Sequence, residues 1–554
     1  MERIERVQAH LRASAAPQSV HEGVFLAPCD QGLSKDAYNA VLTRDAVAFV
    51  ADLAAQFRDH VDQMYHQRTT RRVQVEGDPT AFPGFNAATR GIRTDTSWTI
   101  DPLPPALHDR RVDIGDVSPA KRALLLQALN SGAQGVQVDF DDGHCPTWKN
   151  TVLGHHNIMD AVRGTLRHGS DVLSSHPALL MVRPRAWNMD ETNMLVNGQI
   201  VPGALFDFAL HLFHNGQRLL ESGRGPFLYL PKLEGYEEAA LWREVFEFAE
   251  AKLQLPAGCI KAVVLIESIH AAFAMDEILY ELRHHSAGLN CGMWDYTASI
   301  VVNYRLHPGC ILPDRQQYVS MKSPFLQHYM ELLIETCKRR RAPATTGMVP
   351  FVLDQLPPQL SRDAAVSKSI QAKQFEASAG SDGALVFDLA LVKPIQEVFA
   401  ATKKLVATRQ ADEKFYEKTL MTLPNGDVSL TSVRQNLQVA LSYVLAWLQG
   451  NGTVVVNGCV EDSATAEISR AQLWQWIRHQ VPLTSGERVT ASLVHDLLMK
   501  VARDKLAEPS APPMRLAVAA INLVFRVITA RSPPAFLTTF LLEQEPLTRS
   551  LESV

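Results

Sequence analysis

The feature that most constrains this chain is an alternation. From about Gly135 onward, short apolar runs are separated by helical segments: GVQVDF, ALLMVRPR, PFLYLPKL, AVVLIES, GLNCGMWD, ATTGMVPF and ALVFDLAL. Such alternation is the signature of parallel β/α units. Seven candidate strands, with an eighth that the pattern does not place, suit an α/β fold of the TIM (β/α)8 barrel type better than an open doubly wound sheet. No GxGxxG follows the first strand and no phosphate loop of the form GxxxxGK followed by Ser or Thr occurs, so nothing supports the open sheet.

The 554 residues are too many for one compact core and suggest about two to four domains. Before the strands, Ser34 to Gln67 shows apolar residues at helical spacing behind a plausible Ser34 cap. After about Lys393 the strands stop, and helical patterning runs to the end, broken by Glu508–Pro513 and by Ser532-Pro533-Pro534. Hydrophobic residues make up 46% and charged residues 20%, the balance of a soluble globular protein. With 54 basic and 59 acidic residues the net charge is −5, which excludes a general attraction to nucleic acid or anionic lipid. The seven cysteines contain no CxxC pair, against a disulfide framework or a structural zinc site. The charged N-terminus is unlike a signal peptide and no apolar run is of membrane-spanning length, so no membrane association and a cytoplasmic location are expected.

The segment Lys261 to Tyr296 reads as strand, helix, strand. Met275, Ile278, Leu279 and Leu282 form a helical stripe, with Gly288 as its terminator. Glu267 closes the first strand and Asp295 the second, one β/α repeat apart, so both carboxylates emerge on the C-terminal face of the barrel. Two converging carboxylates without histidine or cysteine neighbours suit a hard cation such as Mg²⁺; the plainer reading is a pair of strand-end acids bonded to loop amides. Arg183 closes another strand, and its planar charge can hold a carboxylate or a developing oxyanion, or simply form a surface ion pair. Arg183, and not Arg185, is expected to face the site, the two pointing to opposite sides. Asp462 precedes a helical stretch with apolar Leu473, Trp476 and Ile477, and on its own reads as a helix N-cap.

Taken together, ALHDRRVDIGD, ALNSGA, VDFDDGHCPTW, VRPR, GPFLYLPKLEGYEEAALW, LIES with AMDEILYELRHHSAGLNCGMWDY, LPDRQQYVSMKSPFL and EDSATAEISRAQLWQWI resemble the malate synthase family in its shorter isoform, in order, from about residue 95 to 480. The resemblance implies an N-terminal helical clasp (1–95), a TIM barrel (96–392) and a C-terminal helical domain (393–554) that covers the barrel mouth. It implies a Claisen-type condensation of acetyl-CoA with glyoxylate followed by thioester hydrolysis, giving malate and CoA. By the same match Glu267 and Asp295 are the Mg²⁺ ligands, Arg183 stands at the nascent enolate and Asp462 is the catalytic base. Gly292, Met293 and Trp294 fall at the substrate, and Asp139 and Asp141 are acids behind the metal, although the family usually has Glu where Asp141 stands. The partners implied are an acyl-CoA and a 2-oxo acid, in a monomer or a homo-oligomer.

The departures from the family fall elsewhere. TGMVPFVL (Thr346 to Leu353), GSDGALVFDLA (Gly380 to Ala390) and VVVNGCVED differ from the family text, as do Met293, where an arginine is usual, and His270, where a proline is usual. Two readings compete: drifted pocket walls with unchanged substrates, or the same mechanism on another acyl-CoA or 2-oxo acid in a specialised biosynthetic pathway. An inactive scaffold is a third, opposed by the survival of all four key residues.

Overall fold

The computed structural model describes residues 18–29, 32–78, 81–403, 412–509 and 511–544. Eight parallel strands close into a barrel in chain order. They are β1 (Val112–Val117), β2 (Gly135–Asp139), β3 (Leu179–Arg183), β4 (Phe227–Leu230), β5 (Lys261–Ile266), β6 (Ser286–Cys291), β7 (Ala344–Val349) and β8 (Gly383–Val386). The seven apolar runs supply β2 to β8, and the eighth strand is β1. Its sequence, VDIGDV, interleaves Asp113, Gly115 and Asp116 with apolar residues, which hides it from hydropathy. Asp113 is nevertheless buried, held by Arg110 at 2.5 Å and the Tyr229 hydroxyl at 2.5 Å.

The two-residue period of the strands sorts their side chains. Leu179, Met181, Phe227, Tyr229, Val263, Leu265 and Ala287 pack with Leu107 in one cluster. Their neighbours Leu180, Val182, Leu228, Leu230, Val264 and Ile266 belong to the larger core against the surrounding helices. Burying each such side chain contributes about 1.5–3 kcal/mol. Arg183 continues the parity of Leu179 and Met181, and Glu267 that of Val263 and Leu265, so both project inward at the C-terminal ends of their strands.

The N-terminal helical stretch is broken in two. Ser34 caps Lys35–Val41, accepting from the Ala37 amide, and Thr43 caps Arg44–Gly77. The second helix runs past Gln67, its apolar face (Val47, Val50, Leu53, Phe57, Val61) turned to the core and its Arg68 forked onto Glu238 at 2.7 and 2.6 Å. Strands Gln18–His21 and Val24–Leu26 join Asp190–Val196 and Gln199–Pro202 in an antiparallel sheet that the periodicity did not reveal. Gly288 does not end the preceding helix, which stops at Glu281; it lies inside β6 at φ +108°, where a Cβ would strike the Pro343 carbonyl oxygen at 2.2 Å.

Beyond the barrel, helices Leu430–Leu448, Ser463–Arg478, Ala491–Leu506, Met514–Thr529 and Leu537–Glu543 share a second apolar core. Strands do recur here, in a short hairpin of Val454–Val456 and Cys459–Glu461. The hairpin is stitched to the loop after β7: Val460 N–H donates to Pro350 C=O at 2.8 Å and Val352 N–H to Gly458 C=O at 2.9 Å. Among the described residues no helix is long and apolar enough to cross a membrane.

Candidate active site

The strand ends and the hairpin meet around a cavity of about 500 Å³, lined among others by Asp116, Asp142, Arg183, Glu267, Asp295 and Asp462. Arg183 is the residue that ties these acids together. Asp139 and Arg183 are Cα partners on β2 and β3, and the guanidinium forks onto that carboxylate, Nε to Oδ1 at 2.7 Å and Nη2 to Oδ2 at 2.6 Å. Nη2 also reaches Asp116 Oδ1 at 3.0 Å and Nη1 reaches Asp142 Oδ2 at 3.0 Å. Burial opposes the charge, but these acids outweigh it and hold Arg183 far above its ordinary pKa. Arg185 instead forks onto Asp207 at 2.8 Å through Nε and through Nη2 and pairs with Glu191. Strand alternation alone would send residues 183 and 185 to the same side; they part because β3 ends at Arg183 and Pro184 turns the chain.

Glu267 follows the last residue of β5 and accepts the Lys232 N–H at 2.9 Å. Asp295 lies on the expected face but not on a strand. β6 ends at Cys291, and Asp295 sits in the first turn of the helix Met293–Asn303. Gly292, Met293 and Trp294 line the cavity beside it. A Cβ at Gly292 would stand 2.9 Å from Glu267 Cγ, so this glycine lets the loop close over the acid. Asp142, which sequence reading passed over although it adjoins Asp141, completes a trio. One carboxylate oxygen from each of Asp142, Glu267 and Asp295 lies within 4.8 Å of the others.

The electrostatics of the trio are set by Lys232, also missed in the motif PKLEG. Its ammonium donates to Asp141 Oδ2 and Asp142 Oδ1 at 2.6 Å each and stands 3.8 Å from Asp295 Oδ1. Burial pushes Asp142 up, but Lys232 and Arg183 prevail and hold it at about 2. Burial prevails at Glu267, raised to about 7, and at Asp141, raised to about 6; Asp295 is raised well above the carboxylate range. Full ionisation of the trio therefore needs more positive charge than Lys232 and Arg183 supply, and every donor in it is an oxygen. That donor set fits a hard divalent cation. Asp139 and Asp141 lie behind it, Asp139 bound to Arg183 and Asp141 to Lys232 and the Ala186 amide at 2.8 Å.

Asp462 arrives from the hairpin and caps the helix Ser463–Arg478. Its Oδ1 accepts the Thr465 N–H at 2.9 Å, and the Thr465 hydroxyl accepts the Asp462 N–H at 3.0 Å, a reciprocal capping box. Burial, then the charge of Asp142, raises the carboxyl above its ordinary pKa. Ser463 Oγ donates to Asp142, tying the helix start to the trio. Of the departing segments, Met293, Met348, Phe351, Leu385 and Val460 line the cavity. His270 does not: it is half-buried near Glu234, Arg71 and Arg68, and desolvation holds it at about 4.

A closed parallel barrel with acids and an arginine converging at its C-terminal mouth, and a further acid supplied from a helical layer above it, defines an α/β-barrel enzyme with its site under a second domain. The model of the malate synthase TIM barrel domain matches residues 179–423 and that of the malate synthase C-terminal domain residues 428–544. The malate synthase of Myxococcus xanthus is 42% identical over 493 residues, covering 88% of this chain and 89% of that one. Malate synthase A of Escherichia coli is 38% identical over 481 residues, covering 84% and 89%. A glyoxysomal malate synthase of Gossypium hirsutum is 40% identical over 469 residues, covering 82% and 81%. The chain belongs to the malate synthase family.

Proposed function

We propose that this protein condenses acetyl-CoA with glyoxylate and hydrolyses the resulting thioester, releasing malate and CoA. The observation that carries the reading is the convergence of the Asp142, Glu267 and Asp295 carboxylates with Arg183 and Asp462 around one cavity. Glu267 and Asp295, with Asp142, would hold Mg²⁺. A divalent cation there supplies Lewis-acid polarisation of the aldehyde of a chelating 2-oxo acid.

The chain's own residues do the rest. A thioester methyl is a poor carbon acid, so the base must be placed against it while positive charge meets the oxygen that becomes the enolate. Asp462, desolvated and held by its capping box, takes that proton on the oxygen that does not cap the helix. Arg183, fixed through Nε and Nη2 by Asp139 and Asp116, presents Nη1 to the enolate oxygen. Gly292, Met293 and Trp294 bound the substrate. The apolar wall of Met348, Val349 and Leu385 limits water around the acyl group.

In this reading the chain divides into an N-terminal clasp (1–95), a barrel (96–392) and a C-terminal helical domain (393–554) that brings the base. A cytoplasmic location is supported by the free buried thiols of Cys291, Cys310 and Cys337, although some relatives are named glyoxysomal. The test is free-CoA release by purified protein with Mg²⁺ across a matrix of acyl-CoAs and 2-oxo acids. Acetyl-CoA with glyoxylate is expected to give the highest kcat/KM. A higher value for another pair would overturn the substrate assignment while keeping the mechanism.

A further inference from the structure

Asp116 lies beside Arg183 and Asp462, and no step above uses it. Its backbone has φ +54°, the left-handed region that few residues besides glycine, asparagine and aspartate adopt. The pairing of β1 with β2 shifts register between Ile114 and Val117, so Asp116 rides on an irregularity that re-aims its side chain into the cavity. Oδ1 accepts from Arg183 Nη2 at 3.0 Å. Oδ2 is buried and receives no donor among the described residues. The Asp462 carboxyl lines the same cavity, and the two carboxyls act on each other's ionisation. Two ionised carboxylates repel each other, and a single proton between them turns that repulsion into a charge-assisted hydrogen bond.

The structure indicates which partner carries the proton. Asp462 Oδ1 already accepts a backbone N–H. Burial, and then the charge of Asp462, pushes Asp116 well above the carboxylate range. We propose that Asp116 is a positioning residue for Asp462: protonated at Oδ2, it donates a hydrogen bond to the Asp462 carboxylate and fixes the direction of its proton-accepting oxygen. The proposal rests on the reading of Asp462 as the group that takes the acetyl proton. It gives the strained backbone at Asp116 a purpose, since a relaxed β1 would keep this side chain in the barrel wall.

Two substitutions test it. Asp116→Asn keeps an N–H donor and suits φ > 0, whereas Asp116→Gly suits the backbone and removes the donor. Both are compared with the parent and with Asp462→Asn for kcat, KM, exchange of the acetyl α-hydrogens into D₂O, and thermal melting. Asp116→Gly is expected to lose about 10 to 100-fold in kcat and exchange with KM within about twofold, and Asp116→Asn to stay within about threefold of the parent, the scale of a hydrogen bond to a charged group. Parent-like kcat in Asp116→Gly, with Asp462→Asn inactive, overturns the proposal and leaves the base assignment standing. A tenfold or greater loss in Asp116→Asn overturns it too, even if Asp116→Gly does not fold. Retained exchange in Asp462→Asn removes the base assignment, and the proposal with it.

Discussion

Arg183 is forked onto Asp139, its own Cα partner on the neighbouring strand, through bonds of 2.7 and 2.6 Å. The guanidinium is thereby oriented without any ligand, and with Nη2 also bound to Asp116 what remains for a substrate is Nη1. An ammonium cannot reproduce both the fork and that remaining donor. Arg183→Lys should therefore lose about 10² or more in turnover, the scale of a removed oxyanion donor. It should also melt below the parent, because Asp139, Asp116 and Asp142 lose part of their counter-charge. Steady-state kinetics and a thermal melt on the same preparation check both, and near-normal turnover would place this arginine outside the chemistry.

Glu267 and Asp295 should be needed for activity and not for folding. A Mg²⁺ site that keeps several waters contributes little to a barrel of this size, so Glu267→Ala and Asp295→Ala should abolish turnover with nearly unchanged melts. Full activity of EDTA-treated protein without added divalent metal would refute the metal assignment.

Lys232 is the internal counter-charge of the same cluster, 2.6 Å from Asp141 and from Asp142. Lys232→Met leaves buried carboxylates uncompensated, a loss of about 3–5 kcal/mol for a broken buried pair. Because a cation bound at the trio stabilises only the folded state, millimolar Mg²⁺ should restore part of the loss. Urea unfolding of parent and variant, with and without Mg²⁺, measures this. Equal midpoints in EDTA would show that the ammonium does not balance these acids.

Away from the site, His211 is fully buried and burial holds it at about 3. Its folded pKa lies below the unfolded value of about 6.5, so between about pH 6.5 and 3 the unfolded chain binds the extra proton and stability falls as pH falls. His211→Phe removes this contribution. The stability difference between parent and variant should move by about 1.4 kcal/mol per pH unit between about pH 6 and 4, and not at all above about pH 7.5. A pH-independent difference in urea unfolding would mean that this imidazole is hydrated in the folded protein.

What was legible follows from periodicity. Glu267 and Arg183 could be placed because each extends a two-residue alternation, from Leu265 and from Met181, to the end of an apolar strand. Asp295 was assigned to the right face on the wrong element, since NCGMWD does not show where β6 yields to the helix at Met293. β1 escaped because its acids interrupt the apolar alternation and are buried only against partners, Asp113 against Arg110 and the distant Tyr229, Asp116 against the distant Arg183. Asp142 and Lys232 escaped for the same reason: their role is a contact between the loops after β2 and β4. The hairpin at 454–461, three residues per strand, is too short to register as an alternation.

Asp462 reads in sequence as either helix cap or base, and the structure shows one of its oxygens in the capping box, leaving the other outside it. The two roles are therefore compatible and separable by one substitution. Asparagine caps as well as aspartate, its carbonyl oxygen accepting the Thr465 N–H, so Asp462→Asn should leave the melt nearly unchanged. The amide accepts no proton, so enolisation should fall by roughly 10² to 10⁴-fold, the usual contribution of a positioned base. The deciding measurement is exchange of the acetyl α-hydrogens into D₂O beside overall turnover and melting of the same protein. Lost exchange with an unchanged melt identifies Asp462 as the base. Retained exchange would assign the proton to another carboxylate around the cavity, and the capping box would then be the whole of this residue's role.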